Sequence, residues 1–264
     1  MIDFHNHILP NIDDGSKSLD ISLKMLEFAS QQGIREVVNT VHFQHPKVEM
    51  EDISYSRIKN KLQNLQNELN KNNIDIKLHS GAEVFFLPNL LKLKDNPLAT
   101  FDNGKYMLIE FPSLQIPQIQ RQQLFDLKLS GVTPIIAHPE RYKNVQDDVS
   151  MVSDWLEAGC IIQVDAGSIL GGLGSKSKKV AEEIVKNGWC QIIGSDSHNS
   201  TNRNFCLKEA LHLSKKWIGD IAGNMVSENP KAVLEGLSIN TDIEYDYEKQ
   251  RTLLSRLKKV IGLT

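Results

Sequence analysis

The sequence predicts an α/β protein, a distorted TIM-like (β/α)7 barrel, on three observations. Short runs rich in Ile and Val alternate with amphipathic segments. Several of those segments end on glycine just before the next apolar run. Almost every apolar run is followed at once by His, Asp or Glu. Strands alternating with helices are the mark of βαβ units and a parallel sheet.

The predicted strands are IDF at 2–4, EVVNTV at 36–41, IDIKL at 74–78, YMLI at 106–109, TPIIA at 133–137, CIIQV at 160–164 and CQIIG at 190–194. The first helix begins at Ser18, a good N-cap, and Gly33 lies just past its end. Ile21, Met25, Phe28 and Ala29 recur at helical spacing and are its expected buried face. Ile58, Leu62, Leu65 and Leu69 do the same in the second helix. VSDWLEAG and KVAEEIVKNG each close on glycine and lead into a strand. No linker, repeat or low-complexity tract divides the chain, so residues 1–236 read as one barrel. Residues 237–264 read as an acidic connector (DIEYDYE) and an amphipathic helix. The stripe of that helix is Leu253, Leu254, Leu257, Val260 and Ile261, expected to pack on the barrel or on a partner.

Bulk properties exclude several classes. The 264 residues are 40% hydrophobic and 24% charged, with a net charge of −3. That balance offers no basic surface for nucleic acid. No apolar stretch approaches the ~18–20 residues needed to span a bilayer, and the start of the chain lacks the basic-then-apolar order of a signal peptide. The three cysteines, Cys160, Cys190 and Cys206, are odd in number and far apart, which speaks against a disulfide framework. A reduced, cytoplasmic protein is expected.

The strand ends carry the chemistry. His5 and His7 follow the first strand, His42 the second, Glu83 the third, Glu110 the fourth, His138 the fifth, Asp165 the sixth, and Asp196 and His198 the seventh. All strand C-termini of a parallel barrel meet at one face, so these residues converge. The i, i+2 pairs His5/His7 and Asp196/His198 each direct both side chains to one side. Asp13-Asp14-Gly15 suits a turn and leaves a carboxylate free to point inward. Nitrogen and oxygen ligands without thiolate suit Mn foremost, or Fe or Zn. There are more ligands than one ion needs, so two or three divalent ions are expected, with Glu83 or Asp196 as bridges. Such clusters hydrolyse phosphoesters by activating water and neutralising phosphate oxygens. Arg141 in HPER and Arg203 in HNSTNR are the candidate phosphate clamps.

A cysteine-dependent phosphatase is excluded. The position six after each cysteine, where arginine is needed, holds Ala166, Asp196 or His212. Gly171-Gly172-Leu173-Gly174 lacks the ending of a phosphate-binding loop and reads as a flexible loop over the pocket. His45, His79 and His212 have no ligand-like context, and Trp155, Trp189 and Trp217 read as core or boundary aromatics.

Taken together, MIDFHNHILPNIDDG, GAE, LIEF, AHPERY and SDSHN…R resemble the polymerase-and-histidinol-phosphatase (PHP) superfamily. Within it they are similar to the bacterial protein-tyrosine phosphatases of capsule and exopolysaccharide clusters, over residues 1 to about 235. The resemblance implies a trinuclear site: one ion on His5, His7, Glu83 and Asp196, a second on Glu83, Glu110 and His138, a third on Asp14, His42 and His198. It implies Arg141 and Arg203 as phosphate ligands, and Arg141, Arg203, Asp196 and His198 as the catalytic set. The implied substrate is phosphotyrosine on a cognate bacterial tyrosine kinase, which would recruit the protein to the inner face of the membrane. Two positions depart from the family: Val41 and Phe43 flank His42 in TVHFQHP, and Asp165 stands where relatives often carry Asn or a small polar residue. A small-molecule phosphatase of histidinol-phosphate or sugar-phosphate type, and a catalytically silent metal-binding regulatory domain, are the alternatives. A homo-oligomer is left open.

Overall fold

The computed structural model of the chain describes residues 1–46 and 53–239. Seven parallel strands follow one another in sheet order: β1 (Ile2–Asn6), β2 (Glu36–Phe43), β3 (Lys77–Phe85), β4 (Tyr106–Glu110), β5 (Thr133–Ala137), β6 (Ile161–Asp165) and β7 (Ile192–Gly194). Around them lie α1 (Leu19–Gln31), α2 (Tyr55–Lys71), α3 (Gln120–Leu129), α4 (Lys143–Asp147), α5 (Ser150–Glu157), α6 (Ala166–Leu170), α7 (Ser175–Lys186), α8 (Leu207–Ile218) and α9 (Glu228–Leu234). Beyond β7 the chain meets β1 again: Asp196 N donates to His5 O at 2.7 Å and His7 N to Ser197 O at 2.8 Å. Those bonds draw the barrel nearly closed at its C-terminal rim.

Strand side chains divide between two cores. Val37, Ala82, Met107, Ile136, Ile162 and Ile193 face the helices, while Val38, Leu108, Ile135, Ile161 and Ile192 face inward. Both faces are buried, which is why the strands read as nearly continuous apolar runs. Each fully buried Ile or Leu is stabilised by about 1.5–3 kcal/mol relative to exposure. Val233 of α9 joins the inner cluster and stoppers the N-terminal end of the barrel.

The first helix starts as expected, with Ser18 Oγ accepting from Ile21 N at 3.3 Å. Its buried face is Ser22, Met25, Leu26 and Ala29; Phe28, expected in that face, is 41% exposed. The second helix buries Ile58, Leu62, Leu65 and Leu69 as its spacing demands. The third strand departs most from its predicted span. Gln66 holds Ile76 O and Leu78 N at 2.9 Å each, so IDIKL mainly leads into the strand. The strand runs on through His79-Ser80-Gly81, where polar and glycine residues hide it from an apolar pattern. A Cβ on Gly81 would lie 2.5 Å from the Phe101 ring, so the ring occupies space that only glycine leaves open.

β1 contains a register irregularity that shapes the site. Asp3 registers with Val37 and Asn6 with Asn39, so Phe4 and His5 together oppose Val38. This β-bulge breaks the alternation of side chains. Phe4 packs into the inner core, its ring 4.9 Å from Phe101, and His5 also turns inward, its ring bonded to Gln163 across the barrel.

At the other end, Tyr106 Oη donates to Leu237 O at 2.5 Å, and Ile239 is buried against the inner cluster. The predicted tail helix with its Leu253–Ile261 stripe lies outside the described residues. No helix among the described residues is long and apolar enough to cross a membrane.

Candidate metal centre

The nine residues of the implied ligand set, eight from strand ends and Asp14 from the turn after β1, come together at the C-terminal rim. His5 Nε2 lies 3.3 Å from Glu83 Oε2 and 3.5 Å from Asp196 Oδ1. His7 Nε2 lies 3.4 and 3.3 Å from the same two oxygens. His138 Nε2 stands 2.8 Å from Glu83 Oε1. His42 Nδ1 stands 3.0 Å from Glu83 Oε2 and 3.9 Å from Glu110 Oε2. Asp14 Oδ1 is 3.3 Å from both His42 Nε2 and His198 Nε2. Four groups are close enough to share an ion: His5/His7/Asp196, His5/Glu83/His138, His42/Glu83/Glu110 and His7/Asp14/His42/His198. In this arrangement His138 groups with His5, and Glu110 with His42, about the common Glu83.

The imidazoles are aimed by partners on their far nitrogens. His5 Nδ1 meets Gln163 Oε1 at 2.9 Å, His7 Nδ1 meets Asp13 Oδ2 at 2.9 Å, and His198 Nδ1 meets the Asp196 carbonyl at 2.8 Å. Each of those oxygens only accepts, so Nδ1 carries a proton and Nε2 is the nitrogen turned toward the centre. Asp13 also accepts from the backbone N–H of His42 (3.2 Å) and Gly15 (3.0 Å), tying the first two strands to one carboxylate. Glycine is required at position 15: a Cβ there would lie 2.2 Å from the His7 carbonyl oxygen.

Whether these residues fit metal ions is answered by their buried polar atoms. His5 Nε2, His7 Nε2, His42 Nδ1, Glu83 Oε2 and Glu110 Oε2 are all buried and none makes a hydrogen bond. Unsatisfied buried polar atoms cost about 1–3 kcal/mol each, and five of them converging on one cavity is the pattern of ligands around shared cations. The donor set is imidazole and carboxylate, ordinary for Mn, Fe or Zn. Electrostatics agree. Burial raises the Glu110 carboxyl, and the neighbouring Glu83 carboxylate raises it further, to about 8. Burial would likewise raise Glu83, but His5 and His42 outweigh it and hold the group well below the usual carboxylate range. Burial and His7 act to lower His42, and Glu83 and Asp14 outweigh them and bring it up to about 10. Burial and Arg141 push His138 down to about 4.

The two arginines border this cavity. Arg141 Nη1 donates to Asp196 Oδ2, and Arg203 Nη2 donates to the same oxygen at 2.7 Å. Both side chains remain partly exposed, at 29% and 34%. Asp165 caps α6 through Gly167 N and lies 3.5 Å from Arg141 Nη1, a hydrogen-bond acceptor beside the arginine and away from the four ligand groups.

Several neighbours escaped sequence reasoning. His45, expected outside the site, stands 3.6 Å from Glu110 Oε2 with its ring 4.7 Å from His42. Gln163 is the one polar side chain in the apolar run CIIQV, and that isolation was its signal. Tyr142 is buried; its Oη donates to Ala137 O at 2.7 Å and accepts from Phe111 N at 3.0 Å, bracing the residues beside His138 and Glu110. His79 pairs with Glu36 at 2.7 Å near the start of β2 and β3, far from the rim, and His212 is exposed on α8. All three cysteines are free thiols. Trp155 is core, stacked on Phe111 at 5.7 Å.

Residues 1–235 match the family of capsular polysaccharide synthesis proteins CpsB/CapC. The chain belongs to this family. It is 32% identical to tyrosine-protein phosphatase YwqE of Bacillus subtilis over 240 residues, 90% of this chain and 93% of that protein. It is 29% identical to tyrosine-protein phosphatase CpsB of Streptococcus agalactiae serotype III over 243 residues, 89% and 98% of the two. It superposes with a TM-score of 0.85 and 31% identity on a crystal structure from the pair YwqE of B. subtilis and CpsB of Streptococcus pneumoniae, described as metal-dependent tyrosine phosphatases; the match covers 90% of this chain and 96% of that one. Histidinol phosphate phosphatase of Lactococcus lactis shares the fold, with a TM-score of 0.54 at 14% identity.

Proposed function

We propose that this CpsB/CapC family member is a metal-dependent protein-tyrosine phosphatase acting in capsular or exopolysaccharide synthesis. The observation that carries it is the convergence of five buried ligand atoms that make no hydrogen bond beside two arginines that share one carboxylate oxygen. The named activities of the CpsB and YwqE relatives support the same reaction.

His5, His7, Asp14, His42, Glu83, Glu110, His138, Asp196 and His198 would hold two or three divalent ions, Mn foremost. When bound, such ions supply Lewis-acid activation of water and neutralise phosphate charge. The chain's own residues do the rest. Arg141 and Arg203 grip the non-bridging phosphate oxygens, and their planar forks set the ester's orientation. Gln163 and Asp13 keep His5 and His7 in the ligating tautomer. Asp165 accepts from Arg141 Nη1 beside Asp196 and helps fix that guanidinium. The leaving phenolate has a parent pKa of about 10, so its departure asks less of a protein acid than an alkoxide would. The substrate is phosphotyrosine on a cognate tyrosine kinase, met at the cytoplasmic face of the membrane.

The test is hydrolysis of a phosphotyrosine peptide and of histidinol phosphate, side by side, with added Mn and again after chelation. Mn-dependent release from the peptide is expected. Preference for histidinol phosphate would move the protein to small-molecule chemistry with the same barrel and arginines.

A further inference from the structure

Outside the metal centre, a groove of about 640 Å³ lies against the loop that carries Arg203. Its walls include Lys24 and Phe28 of α1, Gly167 and Gly172 around α6, and Thr201 and Asn202 of the loop. We propose that this groove takes the polypeptide flanking the phosphotyrosine, with an apolar side chain of that segment against Phe28. The proposal rests on the phosphotyrosine-phosphatase function above.

Three features carry it. First, the groove is continuous with the arginine loop. Asn199 Oδ1 accepts from Thr201 N at 3.0 Å and Arg203 N at 3.2 Å, and Arg203 O accepts from His198 N at 2.8 Å. This bonding makes a tight turn whose residue Arg203 reaches Asp196 while its tip, Thr201-Asn202, faces the groove. A peptide whose phosphate meets Arg203 therefore has its neighbouring residues beside that tip.

Second, Phe28 has no place in the core. The buried face of α1 is complete without it, and the ring is left 41% exposed at the groove. A partly exposed aromatic ring bordering a recess is a favourable anchor for another apolar side chain.

Third, the remaining lining suits a backbone. Gly167 and Gly172 present no side chain, and a Cβ on Gly172 would meet only Gly167 O at 3.6 Å. The glycine run at 171–174, read from sequence as a flexible loop over the pocket, is instead the turn between α6 and α7. Gly171 there takes φ 91°, and Gly172 N donates to Gly167 O at 2.9 Å. Charge does not dominate the groove: Lys24 is paired with Asp20 at 2.7 Å and Glu209 stands opposite in sign. Selection is thus for shape and apolar contact rather than for an acidic flank.

The experiment uses the full chain loaded with Mn and four substrates: p-nitrophenyl phosphate, free phosphotyrosine, and two phosphotyrosine peptides. One peptide carries Leu at the positions flanking phosphotyrosine, the other Gly. For Phe28→Ser, kcat/KM on the Leu peptide should fall roughly three- to tenfold through KM, with the two small substrates unchanged and Phe28→Tyr restoring the peptide rate. The wild type should prefer the Leu peptide to the Gly peptide, and Phe28→Ser should not. Equal losses on all four substrates, or none on the Leu peptide, would overturn the groove assignment while leaving the phosphatase function standing. A changed sedimentation coefficient with unchanged peptide kinetics would give the groove to self-association and overturn it too. No turnover of free phosphotyrosine or of either peptide, with histidinol phosphate hydrolysed in a parallel assay, would instead remove the underlying function.

Discussion

Arg141 and Arg203 meet on a single oxygen of Asp196, Oδ2, while the other oxygen of that carboxylate faces His5 and His7. One side chain thus separates the arginine side of the cavity from the histidine side. A phosphate placed beside the two guanidiniums would meet both at once, and Asp196 fixes the spacing between them.

Removing either arginine should therefore cost substrate binding and leave the ligands in place. A charge-assisted hydrogen bond is worth about 1.5–3 kcal/mol, so Arg141→Ala or Arg203→Ala should lower kcat/KM roughly 10- to 100-fold. Metal content, read by elemental analysis after dialysis, should match the wild type. Lost metal in the Arg141 variant would contradict its role as a phosphate clamp.

Asp196 itself sits at φ 47°, in the left-handed region. Asn tolerates that conformation better than Ala does, so Asp196→Asn separates charge from backbone strain. Asp196→Asn and His5→Ala should each abolish turnover and release metal while far-UV circular dichroism keeps the barrel signature. Full activity in both would remove the metal centre from the mechanism.

The rim was legible because parallel strands put their ends together whatever their separation in sequence. His5, Glu83, His138 and Asp196 could be collected from chain order alone. What aims them was harder to see. Gln163 and Asp13 act through far nitrogens of the rings, and the bulge at Phe4-His5 depends on register with β2, which one strand's sequence does not encode. Phe28 satisfied the helical period yet missed the core, because Leu26 and Ala29 already fill the space against the sheet. The third strand was misplaced for the opposite reason: its middle carries His79, Ser80 and Gly81, where His79 hydrogen-bonds Glu36 and Gly81 leaves room for the Phe101 ring.

Gly15 offers a stability test of that hidden layer. With 2.2 Å to a backbone oxygen, an added methyl must displace the strand end or the turn rather than a flexible tip. Overpacking of this kind costs about 1–3 kcal/mol. Gly15→Ala should lower the melting temperature of the chelated protein and weaken metal retention together. A normal melting temperature with normal metal content would show that the turn has slack the distances deny.

The thiols should be silent. Burial pushes Cys160 up to about 12 and raises Cys190 and Cys206 further, so little thiolate exists at neutral pH. Iodoacetamide at pH 7.5 should leave phosphatase activity intact, and the native protein should react with a thiol reagent far more slowly than the urea-unfolded one. Inactivation on a fast timescale would revive a cysteine-dependent mechanism.

The metal-free protein should respond to pH in the opposite sense from the loaded one. Glu83 and Asp14 outweigh burial and His7 to hold His42 up near 10, and burial with Glu83 holds Glu110 near 8. Both groups keep protons in the fold that they would lose on unfolding. Their stabilisation is complete below their unfolded pKa values, about 6.5 for His and 4.3 for Glu, and is lost as pH climbs through the folded ones. Ligation needs neutral imidazole and ionised carboxylate, so metal uptake at pH 7 must expel these protons. Between pH 7 and 9 the chelated protein should therefore lose thermal stability while Mn affinity rises. Calorimetry of Mn uptake at pH 7, in buffers of different ionisation enthalpy, should give a slope of at least one proton released. A zero slope would mean that the histidines are already neutral without metal, and that the carboxylates around Glu83 are compensated in another way.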